Sequence, residues 1–234
     1  MASSAIGGRR EEAVKRGEPP RREGGERIRD PERTRGNILK AATVEFSEHG
    51  FAGTSIDSIA ARSGANKRMI YHYFGNKRGL WLATLEAAYE RARSAEQQLH
   101  LDELDPETAM ATLAGFTFDS FVDDRTFINL LNSENLHQAR HLKESSRIKS
   151  MHSPLIGMIQ KILDRGVEQG IFRPGIDPAQ LWISIAGLAF FYFSNVFTLS
   201  VILDRDLRAA EDIQERRAHV IELINKGIRA ETGQ

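Results

Sequence analysis

The sequence predicts an all-α protein with a three-helix N-terminal domain and a larger helical C-terminal domain. Two short amphipathic segments flank Gly64, and longer segments with apolar residues at helical spacing continue to Arg229. Several segments begin after Asp or Asn or open with Pro, as helices commonly do. A chain of 234 residues suffices for one small and one medium domain. We expect a tail at residues 1–31, a three-helix domain at 32–80 and a second helical domain at 81–234.

The N-terminal tail is expected to be disordered in the free protein. It holds eight Lys or Arg, six acidic residues and almost no large apolar side chains, so burial cannot offset the entropy of ordering it. It also lacks the apolar core of a secretion signal, and the chain contains no cysteine. We therefore expect a cytoplasmic protein without disulfides or a thiolate zinc site.

The first two helices are marked by glycines at their ends. Gly50 stops the first and Gly64 stops the second. Thr54 or Ser55 can cap the second helix by accepting from a free amide, and Asp57 is expected to complete a capping box with Thr54. The apolar residues at core spacing are Ile38, Leu39, Ala42 and Phe46 in the first helix and Ile56, Ile59 and Ala60 in the second.

The third helix is short and amphipathic. Asn66 is a good N-cap, and the helix should end near Phe74. Ile70 and Phe74 are four residues apart and should point into the core. The opposite face then carries polar and basic side chains, namely Lys67, Arg68, Tyr71 and His72.

Positive charge is concentrated around this third helix. Residues 60–80 contain five Lys or Arg and no acidic residue. Residues 32–81 carry eight basic against four acidic residues, whereas residues 82–234 carry sixteen against twenty-two. A local excess of this kind neutralises phosphates, so it indicates nucleic-acid binding by the N-terminal domain. The arginines before the first helix can follow the DNA or be merely solvated, and they are Arg27, Arg29, Arg33 and Arg35.

Residues 33–85, with their Gly50-Phe51 stop, the turn at Gly64 and the run YHYFGNK, resemble the N-terminal domain of the TetR family of bacterial transcriptional regulators. The resemblance implies that the third helix is the recognition helix of a helix-turn-helix motif. It implies base or phosphate contacts on this helix at Lys67, Arg68, Met69, Tyr71 and His72. It implies phosphate contacts, which position the protein without reading sequence, at Thr54, Ser55, Tyr71, Tyr73 and Lys77. Core packing is the alternative role for Tyr73.

Six more helices are predicted after Asn76. Pro154 should kink or interrupt the fourth of these, because proline removes a backbone hydrogen bond. The approximate ranges are 77–99, from Pro106 onwards, 127–141, 146–169, 178–203 and 211–229. The resemblance implies that the last two helices pair with their copies to make a homodimer.

The helix predicted at residues 178–203 has no charged residue in twenty-six positions, which is long enough to cross a bilayer. Its polar residues and acidic flanks argue against a membrane span, because anchoring flanks are usually positive. We interpret it as a helix buried on nearly all faces. A membrane-tethered regulator is the alternative.

The resemblance also implies a small-molecule effector that binds in the C-terminal domain. A pocket of this kind has apolar and aromatic walls and a few polar groups. The candidate walls are Phe116, Phe121, Trp182, Phe190 and Tyr192, and the candidate polar contacts are Asn132, Asn135, His137, His152 and Asn195. Residues 130–145 and 170–195 resemble those of a subgroup that includes regulators of nicotinate degradation. A small aromatic or carboxylated catabolite is therefore the first effector class to test.

Other functions find less support in the sequence. Glu134, His137 and His141 could place three metal ligands on one helical face, but such spacing also arises by chance and no metal site is assigned. No catalytic motif of a hydrolase, metalloprotease or phosphate-binding loop is present, and we expect neither an enzyme nor a cofactor. A DNA-binding protein without an effector remains an alternative.

Overall fold

The computed structural model describes residues 30–231, and it confirms the all-α fold class. Apart from one isolated bridge between Phe172 and Arg229, these residues contain no β-strand. Residues 1–29 and 232–234 lie outside the described residues, and so do the predictions for Arg27, Arg29 and nearly all of the tail. The helices are α1 Pro31–Gly53, α2 Ile56–Ser63, α3 Lys67–Phe74, α4 Lys77–Gln97, α5 Pro106–Asp123, α6 Arg125–Leu136, α7 Ser146–Glu168, α8 Pro178–Ser194, α9 Val196–Ile202 and α10 Ala210–Ile228.

Gly64 and Asn66 have the roles that the sequence predicts, and Gly64 ends α2 in the left-handed conformation. Gly50, predicted to stop the first helix, instead bends α1 with a φ of 67°, and α1 continues to Gly53. Asn66 caps α3 by accepting from the Met69 amide at 3.0 Å. The predicted capping box of Thr54 and Asp57 is wrong, because Ser55 is the N-cap of α2 and forms the box with Ser58.

Three hydrophobic clusters organise the described residues. The first joins α1 to α4 and includes Phe46 and Trp81. The second packs α5, α7, α8 and α10 together around Met110 and Ile159. The third joins α5, α6, α8 and α10 and includes Phe118. Leu130 of α6 and Ile148 of α7 belong to the first cluster, so the helices of the C-terminal half pack directly against those of the N-terminal half.

Two helices differ from their predicted extents. The helix expected to reach His141 ends at Leu136, and residues 137–141 form turns in which Gln138 and Ala139 have positive φ. The predicted interruption at Pro154 is also wrong, since α7 is one helix of 23 residues. Pro154 is exposed, so water can solvate the carbonyl that loses its amide partner.

The uncharged stretch at residues 178–203 is divided into two helices. α8 ends at Ser194, and α9 follows after Asn195 at an angle of 70°. The interpretation as a helix buried on nearly all faces is wrong for this chain, because Ile183, Phe191 and Val201 are exposed. Within residues 30–231, no single helix is long and apolar enough to span a membrane, although the bent pair passes that test by length and composition.

Candidate DNA-binding surface and effector site

The exposed side of α3 carries Lys67, Arg68, Tyr71 and His72, which we call the recognition face. The helix is fixed from its other side, where Ile70 and Phe74 are buried in the core. The Tyr71 side chain stands out from the surface with 48% of its area exposed. Two aromatic rings and two cations are thereby presented on one rigid turn of helix.

The cations near the recognition face differ in how they are paired. Lys67 forms an ion pair with Asp57 of α2, and Arg62 pairs with Glu45 and Glu48 of α1. Arg68 makes no hydrogen bond or ion pair with any residue that the structure describes. Arg68 is exposed, so among these cations it is the one whose charge no described residue neutralises.

The other predicted DNA contacts are less exposed. Thr54 is 3% exposed, and its hydroxyl donates to the carbonyl oxygens of Glu45 at 3.0 Å and Gly50 at 2.8 Å. This hydroxyl holds the α1–α2 turn together. Met69 and Tyr73 are half-buried against the first cluster, whereas Ser55 is exposed at the start of α2.

Lys77 is partly withdrawn from solvent at the start of α4. Its ammonium lies 4.8 Å from the centre of the Phe51 ring and 3.5 Å from the Ala52 carbonyl oxygen. Burial lowers its pKa. The side chain is long enough to turn outward, so a phosphate contact remains geometrically accessible to it.

A buried carboxylate lies where the N-terminal and C-terminal helices meet. Glu134 is 3% exposed and accepts from Trp81 Nε1 at 2.9 Å and from the amides of His141 and Leu142 at 2.8 and 2.9 Å. Its other contact is His141 Nδ1 at 2.9 Å. Burial alone would raise the pKa of Glu134, but these hydrogen bonds outweigh burial and the pKa is lowered. The Phe51 ring lies 4.5 Å from that of His141, so this carboxylate stabilises the contact between α1, α4 and α6.

This arrangement replaces the metal-binding geometry considered from the sequence. His141 lies beyond the end of α6, so the helical spacing to Glu134 does not apply. His137 directs Nδ1 at the Ser133 carbonyl oxygen at 2.7 Å. Among residues 30–231, no group of three or more metal-ligating side chains is assembled.

Several predicted effector residues belong to one continuous series of aromatic rings. Adjacent ring centres in this series are 5.2 to 6.4 Å apart. The series crosses five helices and contains, in spatial order, Trp182, His152, Tyr89, Phe127, Phe121 and Phe190. The structure thus brings together four of the ten predicted effector residues and adds Tyr89 and Phe127 to them.

The remaining effector candidates lie elsewhere. Asn132 and Asn135 are exposed on α6 and cannot line an enclosed pocket, so these two predictions do not fit the structure. Asn195 donates its amide to the Phe191 carbonyl oxygen and to Ser194 Oγ. Tyr192 donates to the Leu207 carbonyl oxygen at 2.6 Å. Phe116 is half-buried on α5.

Sequence reasoning missed an ionic group beside the aromatic series. Arg93 and Glu96 of α4 are 8% and 4% exposed and form an ion pair at 2.8 Å. The Arg93 guanidinium lies over the Trp182 ring at 5.0 Å. The signal was present in the sequence, because Arg93 and Glu96 follow Leu85 and Tyr89 on one side of the helix at spacings of four, four and three.

The outer faces of α8 and α10 form an apolar groove. Its volume is about 680 Å³, and its lining includes Ile183, Leu188, Leu223 and Ile224. Ile183 and Leu223 are large apolar residues exposed to solvent at this groove. The groove is therefore a candidate surface for contact with another molecule.

The comparisons with known proteins agree with this architecture. The family model for bacterial regulatory proteins of the tetR family matches residues 38–84, and a tetracyclin repressor-like C-terminal domain model matches residues 106–224. The HTH-type transcriptional repressor NicS of Pseudomonas putida is 37% identical over 208 residues, which cover 89% of this chain and 98% of NicS.

Solved structures share the fold. The ketosteroid transcriptional regulator KstR2 of Mycobacterium tuberculosis has a TM-score of 0.60 at 20% identity, over 84% of this chain and 95% of KstR2. The transcriptional regulator FadR of Bacillus subtilis, solved in complex with stearoyl-CoA, has a TM-score of 0.58 at 19% identity, over 83% of this chain and 100% of FadR. The family models and the identity with NicS show that the resemblance is membership. The chain belongs to the TetR family of bacterial transcriptional regulators, which are not enzymes.

Proposed function

We propose that this chain is a repressor that binds a palindromic operator as a homodimer and leaves it when a small aromatic or carboxylated effector binds. The observation that carries the proposal is the recognition face of α3, where Arg68 is exposed beside Tyr71 and His72 and pairs with no residue between 30 and 231. NicS is named a transcriptional repressor, which supports repression rather than activation by this chain.

DNA recognition on this proposal is divided between two kinds of contact. Arg68 donates to the acceptors of a guanine in the major groove, with Met69 beside it for a thymine methyl group. Lys67 exchanges Asp57 for DNA at little cost, since an exposed ion pair contributes about 0–1 kcal/mol. Ser55, Tyr71, Tyr73 and Lys77 contact phosphates. Thr54 supports these contacts from the core rather than touching DNA, because its hydroxyl is buried and bonded.

Dimerisation follows from the size of the recognition element. One recognition helix of eight residues contacts too few base pairs for genomic specificity. A dimer with two-fold symmetry places a second recognition helix on a second half-site. The apolar groove between α8 and α10 is the surface we assign to the second copy. Phe197 and Val201 of α9, the helix that follows α8 in the chain, are further exposed apolar residues.

Release by an effector uses α4 as the connection. Lys77 at its start lies beside the DNA-binding helices, and Arg93 near its end lies over Trp182 of the aromatic series. An effector that displaces the end of α4 changes the position of α3 through the shared core around Trp81 and Phe74. An effector must favour the DNA-incompetent state, since equal affinity for both states shifts nothing.

The test combines the oligomeric state with DNA binding. Sedimentation of the full chain at micromolar concentration should give a dimer, and footprinting on its own upstream DNA should give a protected palindrome. The variant Leu223→Asp places a charge in the apolar groove and should shift the protein towards monomer, whereas Glu222→Gln on the exposed side of α10 should leave the dimer intact. A wild-type monomer with and without DNA would overturn the dimeric mode.

A further inference from the structure

A buried arginine with unmet hydrogen-bonding capacity lies between three helices of the C-terminal half. Arg93 uses Nη2 to pair with Glu96. Its Nε and Nη1 atoms are buried and have no partner among the described residues. A buried donor without an acceptor costs about 1–3 kcal/mol, and more when the donor is charged. Native structures that keep such a donor commonly use it for something other than folding.

The surroundings of Arg93 favour an added negative charge. Burial raises the pKa of Glu96 to about 7, against the opposing effect of Arg93, so Glu96 only partly neutralises the guanidinium at neutral pH. Burial and the positive charge of Arg93 lower the pKa of His152. Burial raises the pKa of Tyr89, which stays protonated. The positive charge of Arg93 is therefore only partly balanced by Glu96, its ion-pair partner.

The walls around Arg93 favour a flat apolar ring. Trp182 lies under the guanidinium at 5.0 Å, and the His152 ring centre is 6.4 Å from that of Trp182. Tyr89 extends the wall, with its ring centre 5.8 Å from that of His152. Arginine combines charge-assisted hydrogen bonds to carboxylates with stacking on aromatic faces, so one residue can hold both parts of such a ligand.

We propose that Arg93 is the carboxylate anchor of the effector site and that the effector is a single-ring aromatic carboxylate, which inserts between α4, α7 and α8 beside Trp182, His152 and Tyr89. The ligand carboxylate accepts from the unpartnered nitrogens of Arg93. This inference rests on the proposed effector-controlled function and names the chemical class and the anchor. Because Nε and Nη1 are sealed from solvent, the three helices must separate for the ring to insert.

The first experiment compares acids with their neutral amides on the full wild-type chain. The probes are benzoate, 4-hydroxybenzoate, phenylacetate and nicotinate, each paired with the corresponding carboxamide. At least one acid should raise the melting temperature and bind in calorimetry, because a ligand that binds the native state stabilises it by mass action. Its amide should bind at least about tenfold more weakly, since it lacks the charge that Arg93 needs.

The second experiment changes the anchor. Arg93→Met together with Glu96→Gln removes both charges while keeping similar volumes, which avoids leaving either ion buried alone. This double variant should lose at least about tenfold in affinity for the acid and should bind the acid and amide alike. The matched control is Arg91→Gln, which removes an exposed arginine of the same helix that pairs with Asp124. Its affinity for the acid should stay within about twofold of the wild type.

The outcomes separate this inference from the proposed function. If none of the acids binds, or if every acid and its amide bind equally, the anchor role of Arg93 is wrong even when operator binding is intact. Loss of acid binding in Arg91→Gln but not in the double variant would also overturn it. If an acid binds through Arg93 and yet leaves operator binding unchanged, the site stands and control of DNA binding by the effector fails. The acid and amide comparison needs no variant, so it decides the question even if the double variant does not fold.

Discussion

Arg68 of the recognition face and Arg93 of the core both have guanidinium groups with unmet hydrogen-bonding capacity, but in opposite surroundings. Arg68 is exposed, so water solvates the cation, and having no partner among the described residues costs no stability. Arg93 is 8% exposed, and two of its nitrogens are buried without an acceptor among residues 30–231. An exposed cation is suited to a large polyanion that arrives from solvent. A buried one demands a ligand of limited size that brings its own acceptors, and it makes the helices around it easier to separate.

Glu134 is a buried charged residue whose hydrogen bonds are satisfied, so it serves as a reference for Arg93. Its removal should have the largest effect on stability. Glu134 is as buried as Arg93, but its oxygens receive the Trp81 indole and the amides of His141 and Leu142. Glu134→Ala should lower the free energy of unfolding by about 3–5 kcal/mol, because it strands these donors. Urea denaturation measures the change. The exposed neighbour Asn135→Ala should stay within about 0.5 kcal/mol of the wild type. A loss below about 1 kcal/mol for Glu134→Ala would show that the carboxylate does not hold the two halves together.

The pH dependence of stability should reveal how strongly burial opposes the ionisation of Glu96. The pKa of Glu96 is raised from 4.5 to about 7 by burial, so the native state binds more protons than the unfolded state between these values. Its contribution to stability is therefore fully present below pH 4.5 and is lost as the pH rises through 7. Relative to Glu96→Gln, the wild type should lose about 2–3 kcal/mol of unfolding free energy over this range. Urea titrations of both proteins at pH 5 and 8 test this. Parallel curves would contradict the raised pKa.

The position of Arg68 depends on the start of α3, where the expected effect is smaller. Asn66 accepts from the Met69 amide and fixes the first turn, on which Arg68 lies. Asn66→Ala should cost about 1 kcal/mol of stability, whereas Asn66→Asp should cost little because aspartate is also a good N-cap. Thermal denaturation compares the two variants. Equal losses would mean that the cap contributes nothing beyond its side-chain size.

Lys77 is intermediate between the two arginines, and its removal should have the smallest and least specific effect. It is half-buried over the Phe51 ring, and burial lowers its pKa. Lys77→Ala should weaken binding to all DNA sequences alike and reduce the salt-dependence slope by about one unit, as expected for one lost phosphate contact. Fluorescence anisotropy at several salt concentrations measures the slope. A change in sequence preference without a change in slope would make Lys77 a base reader instead.

The N-terminal half of the molecule was largely predictable from its sequence, because its signals are local. Gly50, Gly64 and Asn66 act within one helical turn, and apolar spacing identified Ile59 and Ile70 as core residues. The choice between Thr54 and Ser55 as N-cap was not predictable. It depends on the Glu45 carbonyl of α1, which offers the Thr54 hydroxyl an acceptor from nine residues away.

The C-terminal half was less predictable, because its decisive contacts join distant positions. The end of α6 at Leu136 is fixed by Glu134, whose carboxylate captures the amides of residues 141 and 142. The bend at Asn195 has no adjacent proline or glycine in the sequence that would have predicted it. Arg93 lies 89 positions from Trp182 in the sequence, so a helical pattern can place it on the buried side of α4 but cannot name its neighbours.

The contrast between the two arginines is tested most directly by measuring the operator binding of three proteins, with and without the aromatic acid that binds best. The three proteins are the wild type, Arg68→Ala and the Arg93→Met/Glu96→Gln double variant. Arg68→Ala should lose about 1–3 kcal/mol of specific DNA affinity while it still binds the acid. The double variant should bind operator DNA like the wild type but should no longer be released by the acid. The roles assigned to both residues would be contradicted if the Arg68→Ala protein bound its operator with wild-type affinity and the acid still released the double variant from DNA.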